Sequence, residues 1–307
     1  MTRDVTELLN DSDVGALLRP ELAVAAMSAA MVAAHRGTLH TPARLQAHIG
    51  DNTLVFTAGS MEGECYGYRS YDTARRPGFQ QVVVVHDAAT GSVRAVAVGN
   101  QLGPKRTGAL GGATVAALAN DGAAKLALIG IGPQARAQLW AIAGTRPIAQ
   151  ISAHSRTEVR RDDFAQRIEA KYQIPCVAAK SAQEAVEDAD IVVLATTSGA
   201  AVIDASWLKP GAFIAALGPK EIDNAEFGRD LVDDETLVVT DSLNQLASFG
   251  DNHVLHDLPA ARFVSVGAII AGDHPGRASK RQRVVYLSLG LAGTEVYLLN
   301  ELLKSRR

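Results

Sequence analysis

The chain of 307 residues is poor in cysteine, in charge of one sign and in long apolar runs. Its two cysteines, Cys65 and Cys176, lie far apart and have no metal-ligand spacing. Two free thiols in a reducing compartment are expected, not a disulfide framework. The eight histidines show neither HxH nor HExxH spacing, and His86 beside Asp87 reads as structural. Metal chemistry is therefore disfavoured. No GxSxG and no Cys–His signature is present, which disfavours acyl-enzyme chemistry. The net charge is −3, so no basic footprint argues for nucleic acid. No apolar run approaches membrane-span length, and the start MTRDVTELLN lacks an apolar h-region. A soluble cytoplasmic protein without a membrane partner is expected. There is no internal repeat, low-complexity tract or long linker.

What is present suits a globular core: 47% apolar and 21% charged residues. The length suggests two domains or one large one. The organising stretch is Lys125 to Ala135, KLALIGIGPQA. The apolar run Leu126–Ile129 has strand length, Gly130 and Gly132 follow, and an amphipathic pattern runs through Gln138, Leu139 and Ile142. Strand, glycine turn and helix start make a phosphate-binding βα turn. Gly130 allows the turn, and Gly132 lets a pyrophosphate approach the backbone and the positive end of a helix. Ala135 stands at the third glycine position, which requires only a small side chain.

Before this stretch, residues 20–36 form an alanine-rich amphipathic helix opened by Pro20. Leu54–Ala58, Glu64–Tyr71, Gln81–Asp87 and Ser92–Val98 read as mostly antiparallel strands, with a hairpin turn at residues 88–91. Gly99–Pro104 reads as a loop. Arg106–Asn120 reads as a helix whose glycines indicate close approach of another backbone or of a ligand, with tight helix packing the preferred explanation.

From residue 123 strand and helix alternate. The expected strands are Leu126–Ile129, Gln150–Ala153, Cys176–Ala178, Ile191–Ala195, Phe213–Ala216, Leu237–Thr240 and Phe263–Val266. The expected helices are Gln134–Ala143, Glu158–Tyr172 and Ser181–Glu187. This rhythm predicts an α/β fold with a Rossmann-type doubly wound parallel sheet. Ligand residues then fall at the strand C-termini, near Gly130–Gln134, Ser155–Arg156, Thr196–Ser198 and Gly218–Lys220. Val284–Lys304 reads as one closing amphipathic helix.

The second strand ends in Ser155, Arg156 and Thr157, where an NAD-preferring fold usually carries a carboxylate for the ribose hydroxyls. Hydroxyls and a guanidinium suit a 2′-phosphate, so NADP(H) is preferred and NAD(H) stays open, against the alternative of a surface arginine. Thr196, Thr197 and Ser198 form a hydroxyl-rich loop passing the nicotinamide side, or a simple capping turn. Arg44, Arg69 and Arg106 are the candidates for a small carboxylate substrate, although nothing in the sequence brings them together.

These residues resemble the ornithine cyclodeaminase/mu-crystallin family. The resemblance rests on Lys105-Arg106-Thr107-Gly108-Ala109 and Gly130-Ile131-Gly132-Pro133-Gln134-Ala135. Ser155-Arg156-Thr157, Thr196-Thr197-Ser198, Pro210-Gly211 with Leu217-Gly218, and Ser288-Leu289-Gly290-Leu291-Ala292 complete it. It implies a homodimer whose substrate and dimerisation domain, residues 1–109 with 281–307, surrounds a Rossmann domain, residues 110–280. It implies a nicotinamide cofactor held by Thr107, Gly130, Gly132, Gln134, Ala135, Ser155, Arg156, Thr157, Thr196, Thr197, Ser198, Gly218 and Ser288. It implies a small amino- or imino-acid substrate whose carboxylate is held by Arg44 and Arg106, with Arg69 in place of a strand lysine. Lys220 stands where cyclodeaminases and the related alanine dehydrogenases carry an aspartate, and a cation there would repel an ammonium. An NADP(H)-dependent reductase of a small cyclic ketimine carboxylate is therefore expected, with Lys220 or a water it positions as proton source. Two alternatives stay open. One is a cyclodeaminase or amino-acid dehydrogenase using NAD, with Asp223 or Glu226 as base. The other is a non-catalytic NADPH-dependent ligand binder.

Overall fold

The computed structural model describes residues 6–74 and 78–306, and all statements below concern those residues. The first half of the chain builds β1 (Glu7–Leu9), α1 (Asp11–Leu17), α2 (Pro20–Arg36), β2 (Leu39–His40), β3 (Leu45–Ile49), β4 (Asn52–Met61), β5 (Cys65–Asp72), β6 (Gln81–Asp87) and β7 (Val93–Gly99). Asn10 caps α1 through a reciprocal capping box with Asp13. Pro20 opens α2 and Gly37, in the left-handed region, closes it.

The strands form a seven-stranded sheet in the order β1-β7-β6-β5-β4-β2, with β3 also on β4. All pairs are antiparallel except β1 with β7. Both β1 and α1 escape the sequence patterns because each is short. In β5 the alternation is as expected, with Cys65 and Gly67 buried and Tyr66 and Tyr68 exposed.

Helix α3 (Leu102–Leu118) links the two halves. It begins earlier than expected and absorbs the second half of the predicted loop 99–104, because Pro104 sits in the first turn, where no intrahelical N–H is needed. Its glycines serve packing. A Cβ on Gly108 would overlap the Ala137 backbone, and one on Gly111 would overlap the Gln138 side chain. Both partners lie on α4 (Pro133–Thr145), which packs along α3.

The second half adds β8 (Lys125–Ile129), β9 (Gln150–His154), α5 (Glu158–Tyr172), β10 (Cys176–Ala178), α6 (Ala182–Val186), β11 (Ile191–Leu194) and β12 (Phe213–Ala216). The short pair β13 (Lys220–Glu221) and β14 (Asn224–Ala225) follows, then β15 (Leu237–Thr240), α7 (Leu243–Ala247), β16 (Phe263–Ser265), α8 (Val266–Ile270), β17 (Val284–Leu287) and α9 (Thr294–Lys304). The eight-stranded sheet has the order β10-β9-β8-β11-β12-β17-β15-β16, and each pair is parallel. This is the doubly wound Rossmann arrangement, and its switch point lies between β8 and β11. The central strands β11, β12, β15 and β17 are buried throughout, as a sheet covered on both faces requires.

One expectation is overturned here. Val284–Lys304 is not a single helix. Val284–Leu287 is a strand seated between β12 and β15, and the helix starts only at Thr294. Gly290 (φ +83°) and Gly293 (φ +76°) break the run in conformations that a helix does not allow. The strand also falls within residues 281–307, the span assigned from sequence to the other domain, yet it completes the parallel sheet. The buried α9 returns to the antiparallel sheet, where Gly59 and Gly293 leave room for β4 and the start of α9 to touch.

Candidate active site

A cleft opens at the C-terminal ends of β8 and β11, the switch point of the parallel sheet. One part, about 750 Å³, is lined by Gly130–Pro133, Ser155, Arg156 and Thr196–Ser198. A second part, about 440 Å³, is lined by Arg44, Arg106, Thr107, Gln134, Gly218, Ser288 and Gly290. Gly132, Pro133, Ala195, Thr196 and Thr197 line both, so the two parts share one floor.

The glycine turn has two different jobs. Gly130 is at φ +94°, and a Cβ there would overlap the Ala195 carbonyl, so this glycine lets β8 turn under the end of β11. Gly132 has an ordinary φ of −74°, and a Cβ there would meet nothing within 4 Å. Its missing side chain leaves open space at the head of α4. Gly132 is the N-cap of that helix and no side chain caps it. The backbone N–H groups of Gln134 and Ala135 therefore lack side-chain partners where the helix presents its positive end. An uncapped 13-residue helix opening on an empty cradle fits the diphosphate of a dinucleotide. Ala135 is fully buried and serves packing, as expected of the third small position.

At the adenosine end, Ser155 and exposed Arg156 line the cavity, together with Arg136, Arg160 and Asp163. Arg136 and Arg160 were not singled out from sequence, because a helical arginine carries no signature of its own. Thr157 is the N-cap residue of α5 and is not among the lining residues.

The floor is locked by a residue first considered as a base. Glu226 is fully buried; its Oε2 accepts from the N–H and the Oγ1 of Thr196, both at 2.9 Å. Its Oε1 accepts from the N–H of Gly218. Glu226 thus ties the loop after β11 to the loop after β12. A carboxylate with both oxygens so engaged is not a free base, and Asp223 is exposed in the turn between β13 and β14. Neither alternative base stands in the cleft.

Two of the three arginines, Arg69 and Arg106, meet on one buried carboxylate, and Arg44 stands apart from it. Glu295, at the start of α9, is 1% exposed. Its Oε1 accepts from Arg69 Nη1 at 2.6 Å and from Arg106 Nη2. Burial raises the Glu295 pKa, but the guanidinium groups of Arg106 and Arg69 outweigh it and pull the value down to about 2. Since that value lies below the ordinary 4.5, the stabilisation is full above pH 4.5 and is lost as pH falls through about 2.

Arg69 also donates from Nε to Gln81 Oε1 at 2.9 Å and stacks on Tyr71 at 4.1 Å. It does not line the cleft. The longer reach of arginine commits this side chain to Glu295 and Gln81. Arg106 keeps Nε and Nη1 buried without a partner, and Arg44 Nε is likewise unpartnered. Arg44 Nη2 donates to the carbonyls of Leu289 (2.9 Å) and Gly290 (3.2 Å). A Cβ on Gly290 would stand 3.0 Å from Arg44 Nη2 and 3.5 Å from Arg106 Nη1. The two guanidinium groups therefore flank a seat kept open by Gly290. Buried, unpaired N–H groups on two cations fit an anion, and a carboxylate best of all.

Lys220 is 3% exposed, and Nζ donates to the Gly218 carbonyl at 2.7 Å. Burial lowers its pKa to about 8, against the opposing pull of Glu226 and Asp241. It lines an adjoining cavity of about 370 Å³ that shares Leu217–Pro219, Ser288 and Leu289 with the substrate part. Lys220 thus lies behind the Gly218–Pro219 rim, off the guanidinium wall.

The fold and this site together define a Rossmann-type scaffold with an uncapped helix head beside two guanidinium groups whose buried N–H groups lack partners. Comparison with known proteins narrows the class. A model of the ornithine cyclodeaminase/mu-crystallin family matches residues 4–302, and the chain belongs to that family. It is similar to the Delta(1)-pyrroline-2-carboxylate reductase of Bacillus cereus, 31% identical over 222 residues, which is 70% of this chain and 67% of that one. It is also similar to the ketimine reductase mu-crystallin of Mus musculus, 29% identical over 262 residues, covering 85% and 78% of the two chains. Among solved structures, that of the Thermococcus litoralis Delta(1)-pyrroline-2-carboxylate reductase with NADH and L-proline superposes with a TM-score of 0.87. It is 23% identical and covers 97% of each chain.

Proposed function

We propose that the protein is an NADP(H)-dependent reductase of a small cyclic ketimine carboxylate of the 1-pyrroline-2-carboxylate or 1-piperideine-2-carboxylate type. The observation that carries this reading is the shared floor. The uncapped head of α4 and the Arg44–Arg106 seat open on one cleft, with Thr196 and Thr197 between them. Of the two relatives named above, one is by name a Delta(1)-pyrroline-2-carboxylate reductase and the other a ketimine reductase.

Reduction of a C=N bond adds a hydride to carbon and a proton to nitrogen. The nicotinamide, when bound, supplies the hydride. The chain's own residues supply the rest. Arg44 and Arg106 hold the carboxylate and so fix the ring in the cleft. Thr196 and Thr197, braced by Glu226, set the wall against which the cofactor lies. Lys220, with its pKa lowered to about 8 by burial, holds a transferable proton at Nζ near neutral pH and passes it from behind the Gly218–Pro219 rim to nitrogen through a water. Arg156, assisted by Arg136 and Arg160, holds the 2′-phosphate and favours NADP(H) over NAD(H).

The unit of function is a homodimer on this reading. The outer face of the antiparallel sheet carries Leu45, Tyr66 and Tyr68, exposed at 64%, 40% and 40%. The row Ala58–Tyr68–Val84–Val96–Leu8 runs across five strands. A second copy covering this face would bury it. Light scattering should show a dimer, and Tyr68→Arg should shift it to monomer.

The test of the activity is a screen of NADPH and NADH oxidation against 1-pyrroline-2-carboxylate, 1-piperideine-2-carboxylate and linear α-keto acid/amine pairs. The expected result is turnover of a cyclic imine with NADPH. Ammonia release from ornithine without net NADPH consumption would defeat the reductase reading. A dinucleotide that binds yet is never oxidised across the panel would point to a ligand binder instead.

A further inference from the structure

Arg44 stands on the chain between β2 and β3, and no side chain among the described residues pairs with its guanidinium. Its Nη2 donates only to the backbone carbonyls of Leu289 and Gly290. The aim of Arg44 thus depends on how that backbone is held. The loop is gripped from behind by a buried carboxylate. Asp241, 6% exposed, accepts at Oδ1 from the N–H of Leu289 at 2.9 Å and of Gly290 at 3.2 Å. Its Oδ2 accepts from the N–H of Gly290 at 3.1 Å and from the hydroxyl of Tyr286 at 3.0 Å. Tyr286 lies in the middle of the parallel sheet on β17, fully buried, so this anchor is rigid.

We infer that Asp241, steadied by Tyr286, is the positioning residue for Arg44. It pins the N–H side of the Leu289–Gly290 segment, so the carbonyls of those residues face the cleft and hold the Arg44 guanidinium beside the seat at Gly290. The inference rests on the proposed carboxylate seat and adds the residue that shapes it. Charge makes the arrangement sensitive. An asparagine at 241 would turn one acceptor into an NH₂ group facing backbone donors, and a carbonyl freed to rotate no longer fixes the arginine. Arg106 needs no such device, because Glu295 holds it directly.

The test measures affinity for L-proline against L-prolinamide by calorimetry on the dimer saturated with NADP⁺, together with KM and kcat for 1-pyrroline-2-carboxylate. In Asp241→Asn, L-proline affinity and the preference over the amide should each fall about tenfold, the size expected when a charge-assisted contact is misplaced. KM should rise by the same factor, with NADPH affinity within about twofold of the parent; kcat is compared well below pH 8, because Asp241 also supports the charge on Lys220. Tyr286→Phe keeps the ring and removes only the hydroxyl, so it should move the same quantities in the same direction by about threefold, whether or not Asp241→Asn folds. In an Arg44→Ala background, either change should add almost nothing, because both act through Arg44. An undiminished effect in that background, or unchanged proline discrimination in both single variants, overturns the inference. A parent protein that shows no preference for L-proline over its amide overturns the seat and the inference together. A parent that binds L-proline but reduces no imine overturns only the reductase reading and leaves the variant comparison decisive.

Discussion

The two halves of the cleft are built on opposite principles. On the proposed function one half serves the cofactor and the other the substrate. The cofactor half is made of backbone. Its cradle is one contiguous stretch, Gly130 to Ala135, and its defining features are a missing Cβ and an uncapped helix. The substrate half is made of side-chain charge. Its two cations with buried, unpaired N–H groups come from residues 44 and 106, its open seat from residue 290, and its anchoring carboxylates from residues 241 and 295. A backbone cradle tolerates changes in neighbouring side chains but not an added methyl group. A charge lattice tolerates changes of volume but not the loss of one sign. The contrast orders the experiments that could break it.

The largest effect belongs to the charge lattice. Arg106→Met removes one arm of the seat and leaves Glu295 with Arg69 alone. Steady-state kinetics should show kcat/KM for the imino acid falling by about 10²–10³, with dinucleotide affinity little changed. An equal loss of NADPH affinity would mean that the two halves are not separable. Next comes Lys220→Met, expected to lower kcat by about a hundredfold. In the parent protein the ammonium is the proton-bearing form, and its pKa is lowered to about 8. Rates should therefore hold below pH 8 and fall as pH rises through that value. A pH–rate profile keeping that limb in the variant would remove Lys220 from the proton path.

The backbone half should fail in two distinct ways. Gly130→Ala forces a side chain into the left-handed region and against the Ala195 carbonyl, so a stability loss of about 2–4 kcal/mol is expected by denaturant titration. Gly132→Leu enters open space. Its stability should fall by only about 1 kcal/mol, the cost of a poorer N-cap residue, while dinucleotide affinity falls at least about tenfold. If Gly132→Leu binds NADPH normally, the diphosphate does not lie over the head of α4. The smallest effect is at the rim. Arg156→Asp should shift the NADPH/NADH preference by about tenfold toward NADH, read as a ratio of kcat/KM values. An unchanged ratio would take Arg156 out of the site.

The same contrast explains what was legible before folding. The strands from Leu126 to Thr240 announced themselves as apolar runs, because a strand covered on both faces has no alternative composition. The glycine turn was legible because its chemistry depends on residues adjacent in sequence. The run Val284–Ala292 was not. VVYL suits a buried strand or a buried helix equally, and only its place between β12 and β15 decides the matter. Arg69 matched the expected pattern of positive charge, yet Glu295 and Gln81 draw it away from the cleft. Glu295 reads as an ordinary charge within the expected closing helix, and Asp241 as an ordinary residue after a strand. Their roles rest on contacts spanning 226 and 48 residues respectively.

The sequence by itself determined the parallel sheet, the glycine cradle and the family. Each depends on local geometry, where a side chain is present or missing at one step of the chain. The tertiary structure decided which arginines keep unpaired N–H groups at the cleft and which carboxylates fix their surroundings. A charge takes its partner only when burial brings distant segments together and makes an unpaired ion costly, and no spacing along the chain encodes that encounter.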